Sequence, residues 1–487
     1  MLFNSVSFLL FFPLTTLIYY LLPRRLRGAW LLLVSCAFYA AFIPVYLWIL
    51  LGVILIDYIA GLMIQWAGGR ARGVFLIASL LANIGVLAVF KYFDFANDNL
   101  RALATFVHWN YPVRDLGMVL PIGLSFHTFQ SMAYTIEVYR GNQKAERNLG
   151  IYALYVMFYP QLVAGPIERP QHMLHQFRER HPFVADQVFD GLKQMLWGFF
   201  KKLVIADRMA AIVDAVYDHP HDVGGAMLVL ATWFFAIQIY CDFSGYSDIA
   251  IGAARVLGYQ LMTNFDRPYA ARSVGEFWHR WHISLSTWFR DYLYIPLGGS
   301  RVSLPRWVFN VMVVFVISGW WHGASWTFAI WGALHGIYLI CSRLTRGLRA
   351  RIAAFTGISR HPLAHDIWRV FATFNLVALA WVFFRADSVR DAWLVLSRMI
   401  GPGFFRKNTL ANGLMNLPLF TINDIWLGAG LTVFLQAVEW YESASRKRPI
   451  VKPQPRWVRW PAYYALVLMI LWLGALGFGR TFIYFQF

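Results

Sequence analysis

Residues Trp307 to Ser342 read WVFNVMVVFVISGWWHGASWTFAIWGALHGIYLICS. Two apolar runs, Trp307 to Trp321 and Gly323 to Ser342, approach or reach the roughly 20 residues that a helix needs to cross a bilayer. A single histidine, His322, stands between them. The pattern predicts membrane-crossing helices that carry an ionisable group toward mid-membrane. Such a group is costly there and is a functional candidate by default.

Similar runs extend outward in both directions: Val6 to Leu22, Ala29 to Ile56, Val74 to Phe90, Gly117 to Ile136, Val223 to Cys241, Val370 to Phe384, Ile425 to Val438 and Trp460 to Gly479. Weaker stretches lie near 150–165, 189–206 and 247–258. Ala29 to Ile56 is long enough for two elements, with Pro44 marking the break. The expectation is an all-α polytopic membrane protein of about 10 to 12 spans plus re-entrant or interfacial pieces. It is read as one integral-membrane domain over 1–487, with N-terminal helices in 1–110, a core in 117–342 and C-terminal helices in 343–487.

Composition agrees. The chain is 59% hydrophobic and 14% charged, with 22 Trp, 24 Tyr and 41 Phe. About a quarter charged is usual for soluble proteins, so a soluble enzyme, a disordered chain and a nucleic-acid binder are all disfavoured. The net charge of +18 reads as cytoplasmic loops against anionic lipid. Arg24, Arg25 and Arg27 directly follow the first run, which has no basic residue before it. That argues against a cleaved signal and places Met1 outside. Arg343, Arg346, Arg349 and Arg351, and then Arg446, Lys447, Arg448, Lys452, Arg456 and Arg459, mark further cytoplasmic ends, so the last helix runs outward. Cys36, Cys241 and Cys341 are isolated and form neither a disulfide framework nor a metal motif. The longest polar stretch, about 262–306, is rich in Trp and Tyr and reads as interfacial.

The densest polar group is Phe277 to Tyr292, FWHRWHISLSTWFRDY. On one helix, at about 100° per residue, Ser286, His279 and Arg290 fall within about 80° of His282. Such a stripe can hold a general base beside an anion-binding cation. The alternative is an interfacial helix anchored at headgroup level by Trp and Arg. His279-x-x-His282 also has metal-pair spacing, but no carboxylate completes a site and no metal is expected. On an uninterrupted helix Ser318, Ser325 and Ala329 share the face of His322, a small-residue stripe that admits a helix or a substrate. A neutral imidazole there can accept a proton from a hydroxyl or thiol near pH 7. The alternative is a buried histidine satisfied by a neighbouring helix. His335 lies 13 positions on, about 220° around such a helix, and reads as structural.

Asp242, Ser244, Gly245, Ser247 and Asp248 interrupt an apolar region and suggest a broken helix lining a cavity. Asn264, Asp266 and Arg267 precede Pro268, in a turn at the mouth of the stripe. Pro160 to Pro166 reads as a turn or helix break, and Asp57, Lys91, Glu137 and Asp207 as snorkelling or paired charges. Walker, dinucleotide and nucleophile-elbow motifs are absent.

Trp321-His322-Gly323-Ala324-Ser325-Trp326 with Trp331-Gly332-x-x-His335-Gly336 resembles the signature of membrane-bound O-acyltransferases, most closely their bacterial alginate O-acetylation branch. Supporting blocks are Pro121 to Phe126, Ala164 to Ile167, Asp242 to Asp248, Arg280 to Ser286, Arg290 to Gly299, Trp381 to Ala386 and Phe482 to Phe487. The resemblance runs nearly full length, and no signature position is missing. It implies a fold thin at its centre, with a tunnel joining cytoplasmic and external cavities. It implies that His322 is catalytic, with His282 as the second polar residue facing it. In a bacterial inner membrane, such a protein moves an acetyl group from a cytoplasmic thioester, acetyl-CoA or another, with no permanently bound cofactor. Arg290 and Arg267 are expected, from charge alone, to bind donor phosphates or acceptor acid groups. Ser286, Trp281, Asn264, Ser325 and Trp321 are the remaining substrate-binding candidates. The implied partners are periplasmic serine-esterase-type (SGNH) acetyltransferases, an exopolysaccharide acceptor and membrane lipids. The alternatives are transfer of D-alanine from an acyl carrier protein, lipid or protein acylation, and a non-catalytic transporter or scaffold.

Overall fold

The computed structural model describes residues 1–163, 165–401, 404, 421–447, 455–475 and 482–483. These form helices, with no strand among the described residues. Among the described residues, six helices are long and apolar enough to cross a membrane by themselves: Val45–Trp66, Ala71–Phe106, Gly225–Val256, Leu304–His322, Trp326–Leu344 and Pro362–Arg385. Val6–Leu21 is a shorter apolar helix, begun by Ser5, whose side chain accepts from the Phe8 amide. Its inward face buries Phe8 and Phe12, whereas Leu10 and Leu14 are 71% and 59% exposed. An exterior as apolar as the interior is what a lipid-facing helix requires.

The break at Pro44 is present, separating Arg24–Ala40 from Val45–Trp66. Several expected boundaries move. The run from Gly117 becomes helical only at Leu124, giving Leu124–Arg140. The stretch 247–258 is not a separate span but the end of Gly225–Val256, which is continuous through the polar Asp242–Asp248 segment. That helix is not broken because a neighbouring π-helical turn, Phe200–Ala206, brings two lysines to its acids. Lys202 Nζ lies 2.6 Å from Asp242 and 2.9 Å from Asp207, and Lys201 Nζ lies 2.5 Å from Asp248 and 2.9 Å from Ser244 Oγ. Paired in this way, the charges stay inside the apolar body. The expected Trp460–Gly479 span is the helix Arg456–Leu473. Positions 476–481 lie outside the described residues, as do Arg448, Lys452, Ala164 and the end of the Phe482–Phe487 block.

Helices Leu304–His322 and Trp326–Leu344 form an antiparallel hairpin rather than one helix. Gly323 is extended, and Ser325 caps the second helix through the Thr327 amide. The pair approaches backbone to backbone. A Cβ on Gly332 would lie 2.1 Å from the Phe315 carbonyl, and one on Gly319 2.2 Å from that of Phe328. Gly332→Ala should therefore prise the hairpin open at a cost of about 1–3 kcal/mol. A clear drop in the thermal unfolding midpoint of the detergent-solubilised protein would show it, and an unchanged midpoint would contradict this packing.

Candidate active site

His322 is the last residue of Leu304–His322 and is 2% exposed. Its ring meets Trp321 and Trp331, each at 4.9 Å between centroids, and Phe384 at 5.6 Å. The helix end is held from another element. Lys91, in the π-helical turn Ala88–Tyr92, donates to the Trp321 and His322 carbonyls at 2.8 and 2.9 Å, and Tyr92 to that of Trp320 at 2.8 Å. A cation and a hydroxyl thus satisfy three terminal carbonyls of the helix. A cavity of about 50 Å³ reaches the imidazole, lined by Lys91, Ile122, Ser125, Phe126, Trp321 and His322 among others. Lys91 therefore does not snorkel, and it has no ion-pair partner among the described residues. Its partners are carbonyls more than 200 residues away, a contact with no local sequence signal.

His282 is fully buried. The single helix expected over 277–292 does not form. The chain makes Val274–Trp278, turns, and resumes at Ile283–Phe289, because His282 adopts φ +42°. Such a backbone is costly for a non-glycine residue and persists only where its surroundings enforce it. Here Asn264 does so, accepting from the Ile283 amide at 2.9 Å. The break sorts the expected stripe into two sets. His279 is exposed, with Nδ1 2.6 Å from the Gly275 carbonyl, so His279 and His282 do not form a metal pair. His279, Ser286 and the exposed Arg290 line a separate, largely apolar cavity of about 460 Å³ beside Trp307 and Phe315. Ser286 Oγ donates to the Trp281 carbonyl at 3.1 Å, and Arg290 pairs with Asp291 at 2.7 Å. Only His282 turns inward. Its ring contacts Phe243 at 4.6 Å and Phe126 at 6.0 Å, and it approaches His322 across the shared ring of Trp321, 6.1 Å away. The 262–306 stretch is thus folded into the protein around His282 rather than lying wholly at the interface.

Hydrogen bonds fix the state of that ring. The Ile167 amide donates to Ser284 Oγ at 3.0 Å, so the Ser284 hydroxyl donates onward to Asn264 Oδ1 at 2.9 Å. Asn264 Nδ2 donates to Ser247 Oγ at 3.3 Å. The atom facing His282 Nδ1, at 3.1 Å, is therefore the carbonyl oxygen, and Nδ1 must be the donor. The lone pair of the neutral imidazole then sits on Nε2, which is buried and has no hydrogen-bond partner among the described residues. Asn264, expected only as a turn residue and substrate contact, is the group that orients His282. Replacing Asn264 by Ala should cost about 10- to 100-fold in turnover through misorientation, whereas Asn264→Asp, which keeps an acceptor, should lose less. Equal losses in the two variants, at matched protein levels, would contradict this role.

The other expected residues are placed as follows. Trp281 is buried among Phe265, Phe277 and Trp381. Arg267 lies in the predicted turn and pairs with Asp266 at 3.3 Å. Ser325 serves as a helix cap, and the hairpin removes the face it was expected to share with His322. His335 accepts from Trp278 Nε1 at 3.2 Å and is separated from His322 by Trp331. It is structural, because of the hairpin rather than the angle around one helix.

Residues 148–384, which contain both inward-facing histidines, match the MBOAT, membrane-bound O-acyltransferase family. The chain is 39% identical over 413 residues to the probable alginate O-acetylase AlgI of Pseudomonas aeruginosa, covering 84% of this chain and 77% of that one. The chain belongs to the membrane-bound O-acyltransferase family. It is 36% identical over 436 residues to the peptidoglycan O-acetyltransferase of Helicobacter pylori, covering 82% and 80%. To the teichoic acid D-alanyltransferase of Streptococcus thermophilus it is 27% identical over 296 residues, covering 56% and 69%. It is accordingly a membrane-embedded acyltransferase, and the transporter or scaffold alternative falls away.

Proposed function

We propose that the protein transfers an acetyl group from a cytoplasmic thioester, such as acetyl-CoA, across the bacterial inner membrane for O-acetylation of an exopolysaccharide of the alginate kind. The observation that carries this reading is the pairing of two inward-facing imidazoles, His322 and His282, across Trp321, in a chain most of whose length aligns with O-acetylating relatives. His322 takes the proton of an acceptor hydroxyl while its oxygen attacks the thioester carbonyl. The C–S bond breaks, and the departing thiolate recovers that proton. With its lone pair at Nε2, neutral His282 orients the acceptor by receiving a hydrogen bond rather than by donating one to the oxyanion. The acceptor is the polymer itself or a periplasmic serine-esterase-type protein that relays the group.

The test is mass spectrometry of secreted polysaccharide, and of peptidoglycan, from cells with and without the protein. The reading predicts that O-acetyl groups disappear from the exopolysaccharide. Loss confined to peptidoglycan, or no loss, would reject it.

A further inference from the structure

We propose that Arg169, Arg140 and the ring of Tyr292 form a binding site for a phosphate ester, at the end of the protein opposite the His322 cavity. The helix Leu124–Arg140 sets the geometry. Its first residues, Leu124, Ser125 and Phe126, line the cavity that reaches His322, and its last turn, Glu137 and Arg140, lines a second cavity of about 350 Å³. At about 1.5 Å rise per residue, the two openings lie roughly 20 Å apart along that helix. Between them stands a column of rings. Tyr292 meets Trp288 at 5.1 Å, Trp288 stacks on Phe129 at 3.9 Å, and Phe129 meets Trp321 at 5.4 Å, beside both histidines.

The second cavity is built for an anion. Arg169 and Arg140 lie over the same Tyr292 ring, their guanidinium carbons 4.7 and 5.1 Å from its centroid. A cation held against a ring face is oriented as well as attracted. The Arg169 side chain is only 13% exposed, and its nearest carboxylate, Asp291, is 3.6 Å away, beyond hydrogen-bond reach. Its two terminal nitrogens are buried with no hydrogen-bond partner among the described residues. A buried guanidinium left in that state is costly, and a phosphate, with several acceptor oxygens, matches its fork.

The two carboxylates lining the cavity are already engaged. Glu137 accepts from Arg140 at 3.2 Å, Asn142 at 2.9 Å and Gln171 at 2.7 Å, and Asp291 pairs with Arg290. Arg290 and Arg267, expected from charge to hold donor phosphates, each sit beside an adjacent aspartate.

Two sources carry this chemistry: the phosphate of the thioester donor, and the headgroup of an anionic lipid. The donor source rests on the acyl-transfer reading above. The test uses the full chain, with coenzyme A, pantetheine (the same arm without phosphate) and nanodiscs containing phosphatidylglycerol. Arg169→Gln should weaken coenzyme A binding by about tenfold or more and leave pantetheine binding unchanged. It should raise the donor KM by the same factor with kcat within about twofold. Arg140→Gln, at a more exposed position, gives the same reading if the first variant fails to fold. Unchanged coenzyme A binding together with loss of co-purifying phosphatidylglycerol would assign the site to lipid. No change in either would overturn the site. His322→Ala, assayed in parallel, separates the two claims. Its loss of activity, with coenzyme A affinity and co-purifying phosphatidylglycerol both insensitive to the two arginines, would reject the site and keep acyl transfer. Its full activity would remove His322 from the chemistry without bearing on the site, and no acyl transfer by the wild-type protein would reject acyl transfer whatever the arginine variants do.

Discussion

His322→Ala should lower acyl transfer by about 10²- to 10⁴-fold, the range set by removing a general base, while the protein remains folded. The size follows from position. The ring ends a membrane-crossing helix, is 2% exposed, and is reached by a cavity that also admits Lys91 and Ser125. Removing it would take away the proposed proton acceptor but leave the helix end intact. Lys91 and Tyr92 hold the carbonyls of Trp320, Trp321 and His322, not the imidazole. The substitution should therefore separate activity from abundance. Turnover falls by orders of magnitude, and the amount of membrane-extracted protein and its elution in size exclusion stay near wild type. Retention of half or more of the activity would remove His322 from the chemistry.

The second large effect concerns stability. Lys202→Met should destabilise the protein by about 3–5 kcal/mol, the usual result of deleting one member of a buried charge cluster. The ammonium is 1% exposed and lies between Asp242 and Asp207, each 5% exposed. Asp242 also accepts from the Ile483 amide at 2.7 Å, so the cluster ties the long central helix to the C-terminal segment. Without the lysine, two carboxylates face each other in an apolar body. Lys202→Met/Asp242→Asn removes one of the stranded charges and should recover part of the loss. A thermal or detergent challenge of the purified variants reads this out. A midpoint unchanged in the single variant would show that the ion cluster does not support the fold.

Much of this was legible in the sequence. Apolar run lengths located most of the long helices, and Pro44 located a break. The family signature drew attention to His322 and His282. What escaped was whatever depends on contacts between distant segments. Periodicity assumed one helix through 277–292 and another through 318–329. In the structure, His282 at φ +42° and extended Gly323 end those helices, so stripes drawn on a helical wheel came apart. The polar 242–248 segment looked like a helix break because its partners, Lys201 and Lys202, are about 40 residues away. Lys91, bonded to carbonyls about 230 residues on, had no sequence pattern at all. The Arg140–Arg169–Tyr292 grouping draws on three separated segments and was equally invisible.

The most direct test of the central claim is acetyl transfer in sealed proteoliposomes. Thioester donor is confined to the face bearing Arg140, and a hydroxyl acceptor to the face onto which the His322 cavity opens. The account predicts acetylated acceptor with the wild-type protein and none above background with His322→Ala. Transfer only when donor and acceptor share one compartment, or equal transfer by the variant, would contradict it.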